Sequence, residues 1–242
     1  MSLPLRSGGA LPSIGLGCWK LGQADTSATV LAAIRGGYRH LDCACDYGNE
    51  REVGEGVAAA ITEGIVTRAD LWVTSKLWCT YHSPEHVEAA LARTLADLQL
   101  TYLDLWLIHF PIPLQYVPME TRYPPSWRPA DNSLPMTTVD VPLIDTWRAM
   151  VALAAGAAPR VRHLGVCNMT TSLLADLMRA CVAGGLPKPE VLQVELVRVC
   201  VCVCGSPRHA LLRTSQRPSP TPTPSPHAAP LPRPRAPLPL CA

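Results

Sequence analysis

The sequence predicts an α/β fold built on a parallel sheet that curls into a barrel, and three observations carry that prediction. Hydrophobic runs of strand length alternate with amphipathic helical patterns from Leu11 to Leu196, the alternation a parallel sheet requires. Four of those runs end in a chemically active side chain: YRHLD in Asp42, LWVTSK in Lys76, YLDLWLIH in His109 and VRHLGVCN in Asn168. Parallel α/β folds gather functional groups at the carboxyl ends of their strands, so the pattern puts all four on one rim. The length of 242 residues is close to the ~250 typical of a single barrel.

Taken in order, LPLRSGGALP reads as a hairpin around Gly8 and Gly9, followed by a first barrel strand ending near Trp19 at the pocket mouth. A helix capped by Thr26 or Ser27 shows Val30, Leu31 and Ile34 on one face and stops at Gly36-Gly37, before the strand that opens at Tyr38. Asn49 caps the next helix with Glu52 as capping-box partner, Val53, Val57 and Ile61 as the apolar stripe and Gly64 as the stop. After LWVTSK, Ser83-Pro84-Glu85 starts a helix whose buried face is Val87, Leu91, Leu95 and Leu98, and YLDLWLIHF follows as the fourth strand. Residues 111–142 form a proline-rich connection without periodicity, too long for an ordinary loop, and are read as a substrate-side insertion. Leu143, Trp147, Met150 and Val151 mark a fourth helix and VRHLGVCN a fifth strand. Leu173, Leu174, Leu177 and Met178 mark a fifth helix that stops at Gly184-Gly185, and VLQVEL is a sixth strand.

Beyond Leu196 the character changes. A Val/Cys alternation gives way to a segment rich in Pro, Ser and Arg that carries no acidic residue, so a disordered tail over 197–242 is expected beside a folded domain over 1–196. Alternation points successive sulfurs to opposite faces of a strand, whereas zinc sites space cysteines by about two to four residues, so no metal site is expected. Alternating Val and Cys is also what a GTGTGT repeat encodes, which fits translated non-coding sequence, an artefactual gene model.

The formal net charge of +2 provides neither a basic surface for nucleic acid nor an acidic tail, which favours a small-molecule substrate. No stretch reaches the roughly 18 uncharged apolar residues of a membrane span and the N-terminus lacks an apolar signal core, so a soluble cytoplasmic protein is expected. The ten cysteines lack a disulfide-framework spacing and are read as reduced thiols.

Together DYGNEREVGEG, TSKLW, TLADL, DLWLIHFPI, YPP, DTW, LGVCN and LQVE, in this order between Leu11 and Glu195, resemble the aldo-keto reductases, most closely their xylose (aldose) reductase branch. The resemblance implies a TIM (β/α) barrel of which this chain supplies about six of eight strands, using NADPH or possibly NADH to reduce an aldehyde or a xylose-like aldose. It carries over a catalytic tetrad of Asp42, Tyr47, Lys76 and His109. Asn168, Gln193, Cys167 (where the family has serine), Trp19 and Asp42 are implied at the cofactor, and Trp19, Trp78, His109 and Phe110 around the substrate. After Glu195 the family pattern ends, and a second expectation is an inactive family remnant acting as a binding or regulatory protein.

The residues make chemical sense of the tetrad. A phenol with a pKa near 10 needs a neighbouring cation that favours phenolate before it gives up a proton near neutrality, and Lys76 is that cation. A buried lysine needs a counter-charge, which Asp42 supplies. A neutral His109 donates a hydrogen bond that orients the carbonyl oxygen.

Overall fold

A computed structural model describes residues 2–128 and 136–195; the expected tail over 197–242 lies outside them. β1 (Ser2–Pro4) and β2 (Ala10–Pro12) pair antiparallel through a turn in which Gly8 and Gly9 take φ of 101° and 83°, values that only glycine adopts freely. Then strand and helix alternate: β3 (Leu16–Gly17), α1 (Gln23–Arg35), β4 (His40–Asp42), α2 (Glu50–Thr62), β5 (Trp72–Leu77), α3 (Pro84–Leu98), β6 (Leu103–Ile108), α4 (Leu143–Leu153), β7 (Val161–Cys167), α5 (Thr171–Ala183) and β8 (Val191–Gln193). The last six strands form one parallel sheet in sequence order, β3 to β8. This is the strand-and-helix succession of a TIM-type barrel with six strands present, as expected.

The central strands β5 and β6 are held between two apolar layers. All six residues of β5 and all six of β6 are buried, as strands covered on both faces must be. Val73, Leu77, Trp106 and Ile108 face the helices and meet Val30, Val53, Leu91, Trp147 and Leu177. Trp72, Leu105, Leu107 and Cys167 face inward, where Leu5 and Leu11 of the hairpin close the layer. Alternation along β5 therefore sends Trp72, Thr74 and Lys76 inward and Ser75 outward. Asp104 is the one acidic residue in these two strands and is 2 % exposed. It accepts from Arg68 at 2.8 Å, Arg162 at 3.2 Å and the Val73 N–H at 3.0 Å, so the buried charge is fully answered.

Several expected details differ. α1 starts at Gln23 with Gly22 as its cap, not at Thr26 or Ser27. Thr26 lies inside the helix, where its hydroxyl donates back to the Gly22 carbonyl at 2.8 Å. Asn49 occupies the cap position of α2 without capping it or forming a box with Glu52. Its Nδ2 instead donates to the Cys18 and Leu21 carbonyls at 2.9 and 3.1 Å, tying down the loop after β3. Ile61 and Leu173, placed on buried faces by periodicity, are 37 % and 41 % exposed. Ile61 is the penultimate residue of α2, beyond the last residue of the helix's buried face, Ala60, while further up the helix Gly54 packs so closely that a Cβ there would sit 2.5 Å from the Leu98 carbonyl oxygen. β3 ends at Gly17, short of Trp19, and β8 spans Val191–Gln193 rather than the whole of VLQVEL. The insertion over 111–142 is stapled at its base, where Gln115 donates to Thr137 at 2.8 Å and Val139 to Pro113 at 3.1 Å.

Candidate active site

The sheet register gathers the expected groups along one rim. Asp42 ends β4, Lys76 is the penultimate residue of β5, His109 follows β6, Cys167 ends β7 with Asn168 next, and Gln193 ends β8. Gly17 pairs with Asp42, Lys76 with Leu107, and Cys167 with Gln193, so the ends stay level across the sheet. Beyond β4 a short 3-10 turn over Cys45–Tyr47 brings the Tyr47 hydroxyl back over the rim.

The Lys76 side chain is wholly buried, and its ammonium donates to Asp42 Oδ1 at 2.9 Å, to the Cys43 carbonyl at 2.8 Å and to Tyr47 Oη at 3.0 Å. Three donors therefore meet three acceptors, which is how a lone ammonium persists inside a protein. Burial alone would lower its pKa, yet the Asp42 carboxylate and the Tyr47 oxygen raise it well above the ordinary lysine value. Burial pushes Tyr47 up to about 12, outweighing the downward pull that Lys76 exerts as expected, with the Asp42 carboxylate also raising it. Tyr47 thus stands protonated near neutrality beside a cation able to receive the phenolate.

His109 is 5 % exposed, and its ring meets Tyr47 edge-on with centroids 5.8 Å apart. Its Nδ1 lies 3.0 Å from Asp46 Oδ1, within ion-pair reach, though the two atoms are not aligned for a hydrogen bond. The sequence reading passed over Asp46; the available signal was a second carboxylate inside DYG, next to the reactive phenol.

A family model, "Aldo/keto reductase family", matches residues 13–199. The chain belongs to the aldo/keto reductase family. It is 49 % identical over 193 residues to the NAD(P)H-dependent D-xylose reductase of Candida tenuis, a match covering 80 % of this chain and 58 % of that protein. Against the NADPH-dependent D-xylose reductase of Meyerozyma guilliermondii identity is 47 % over 195 residues, covering 81 % and 59 %. The solved aldose reductase of Schistosoma japonicum superposes with a TM-score of 0.67 at 35 % identity, covering 81 % of this chain and 61 % of that one. This aldo/keto reductase chain therefore spans less than two thirds of the length of each of these relatives.

Around Asp42, Tyr47, Lys76 and His109 the walls are aromatic. Trp78 is wholly buried, edge-on to His109 at 5.4 Å, and covered by Phe110 at 6.0 Å and Trp127 at 4.8 Å. It acts as backing for His109, with Phe110 and Trp127 nearer the surface. Trp127 comes from the proline-rich insertion and was not singled out from sequence, although YPPSW sits in the segment read as substrate-side. Trp19 is 54 % exposed with Lys20 Nζ over its ring at 4.1 Å, and among the described residues no ring contact joins it to that cluster.

At the β7 and β8 ends, Asn168 holds φ 56°, a left-handed conformation asparagine tolerates better than most residues. Its Nδ2 donates to the His109 carbonyl at 3.0 Å, and its backbone N–H to the Gln193 carbonyl at 2.9 Å. The Cys167 thiol, pushed up to about 11 by burial, donates to Gln193 Oε1 at 3.5 Å. Two amides and a thiol are thereby joined to the strand that carries His109.

Proposed function

We propose that this chain reduces an aldehyde or an aldose such as xylose to the alcohol, with NADPH, and secondarily NADH, as reductant. The observation that carries the proposal is the Lys76 ammonium bridging Asp42 and Tyr47 at the mouth of the sheet. When bound, the reduced nicotinamide supplies a hydride to the carbonyl carbon. Asn168 and Gln193 fit its carboxamide: the Asn168 amide nitrogen is committed to His109, leaving its oxygen as acceptor. The Gln193 oxygen is committed to Cys167, leaving its nitrogen as donor.

The chain's own groups do the rest. As negative charge builds on the carbonyl oxygen, the Tyr47 hydroxyl donates its proton there, and the phenolate left behind is stabilised by Lys76. Asp42 keeps Lys76 charged throughout. His109 holds the carbonyl oxygen in line, and Phe110 and Trp127 exclude water from the reacting atoms. The names of the D-xylose reductases from Candida tenuis and Meyerozyma guilliermondii support the substrate class and the reductant. A reducing, cytoplasmic setting agrees with the six buried cysteines among the described residues, all free, and no described helix is long and apolar enough to cross a membrane.

Loss of reduced-nicotinamide absorbance in the presence of xylose or glyceraldehyde tests the proposal, with cofactor binding followed by quenching of protein fluorescence. Turnover that disappears in Tyr47→Phe is expected. Binding without turnover points to the regulatory remnant instead.

A further inference from the structure

Behind the site, on the helix side of the sheet, lies a carboxyl group that the reaction does not touch. Glu50 is the first residue of α2, three positions after Tyr47, and is 3 % exposed. Its Oε1 accepts from Ser75 Oγ at 2.6 Å, and its Oε2 from Thr94 Oγ1 at 3.2 Å and, at 3.5 Å, from the Tyr123 hydroxyl. No ion pair reaches it among the described residues. The nearby charges are engaged elsewhere: Asp97 of α3 pairs with Arg93 at 2.7 Å and with Arg51 at 3.9 Å, and Asp46 faces His109. Taking a carboxylate out of water without a cation is unfavourable, so its place here calls for a reason other than stability.

The connectivity supplies one. Ser75 immediately precedes Lys76 and points to the opposite face of β5. The two segments that meet in front through the Lys76–Tyr47 contact at 3.0 Å therefore meet again behind through the Glu50–Ser75 bond at 2.6 Å. A residue clamped on both faces has little freedom to slide, and proton donation depends on that separation.

We infer that Glu50 is a positioning residue for the proposed reduction: by holding Ser75, its carboxylate fixes the separation of Lys76 and Tyr47. The inference rests on the proposed function above. The ionised form accepts through both oxygens, whereas a protonated carboxyl turns one of them into a donor and loosens the clamp. Burial raises this carboxyl to about 7, so the change falls near neutrality. Protons have access through an adjoining cavity of about 270 Å³ lined by Cys45, Gly48, Glu50, Arg93, Asp97 and Tyr123.

Glu50→Gln keeps the shape and removes the second acceptor; Ser75→Ala removes the partner. Each is expected to lower kcat about ten-fold while KM for the aldehyde stays within about two-fold, and the double variant is expected to be no slower than either single one. Wild-type kcat should fall as pH drops through about 7, and Glu50→Gln should lose that limb. An unchanged kcat, a loss confined to KM, or a pH limb retained in Glu50→Gln overturns the inference. Should the wild type not turn over at all, the proposed function fails separately, and crystal structures of the wild type and Glu50→Gln then decide. A Lys76 to Tyr47 distance opening past about 3.5 Å in the variant supports the clamp, and an unaltered distance overturns it.

Discussion

Replacing Lys76 by methionine separates the contribution of the ammonium from that of the side chain carrying it. Methionine fills the same buried slot with an unbranched chain, so packing changes little, while the contacts to Asp42, the Cys43 carbonyl and Tyr47 all vanish. The main cost falls on Asp42, left without its counter-charge. Removing one partner of a buried pair costs about 3–5 kcal/mol, and the lower end, ~3 kcal/mol, applies because the Asp42 side chain keeps 22 % exposure. For a domain of this size each kcal/mol moves the melting midpoint by about 2–4 °C, giving a fall of about 6–12 °C. Asp42→Asn combined with Lys76→Met leaves no stranded charge and should recover about 2 kcal/mol relative to the summed single losses. Thermal melts of wild type, both single variants and the double variant by circular dichroism measure all of this. A Lys76→Met midpoint within about 2 °C of wild type, or strictly additive losses, would refute the reasoning that each charge is there to hold the other.

Three further outcomes are expected. Tyr47→Phe loses one hydrogen bond and so stays within about 1.5 kcal/mol of wild type in urea unfolding, while aldehyde turnover falls to background; persisting turnover would remove Tyr47 as proton donor. Gly54→Ala, whose Cβ would lie 2.5 Å from the Leu98 carbonyl oxygen, forces α2 away from α3 and should cost about 1–3 kcal/mol, a prediction that a wild-type urea midpoint contradicts. Burial raises Glu50 from 4.5 to about 7, so its contribution to stability is present below 4.5 and lost as pH rises through 7. Burial lowers His82 from 6.5 to about 4, so its contribution is present above 6.5 and lost as pH falls through 4. The two trends oppose each other between 4.5 and 6.5; relative to wild type, Glu50→Gln should gain about 1.4 kcal/mol per pH unit across that window, and a constant difference in urea midpoints argues against it.

Asp42, Lys76 and His109 were legible as candidates because each closes a mostly apolar run of strand length, the string a strand covered on both faces leaves in sequence; Tyr47 follows no such run and was legible only through the resemblance carried by DYGNEREVGEG. Helix boundaries were harder to read. Thr26 carries the chemistry of a cap but spends its hydroxyl on the carbonyl one turn back, which composition does not distinguish. Ile61 misled because periodicity extends the buried stripe to the end of α2, whereas burial stops at Ala60. Trp127 and Glu50 escaped notice for a common reason: each meets a residue far away in the chain, Trp78 and Ser75 respectively, and no local pattern announces such a meeting; Asp46 had a local signal beside Tyr47, but its partner His109 lies as far off.

Lys76 belongs to the sheet itself, and Asp42 to the very end of its own strand, while Trp127 belongs to a long connection stapled at its base. In the proposed reaction, proton delivery and choice of aldehyde would thus reside in parts of the molecule that tolerate change very differently. If the proposed reduction holds, lengthening or exchanging the insertion over 111–142 should redirect the range of aldehydes accepted while leaving Tyr47 and Lys76 in place.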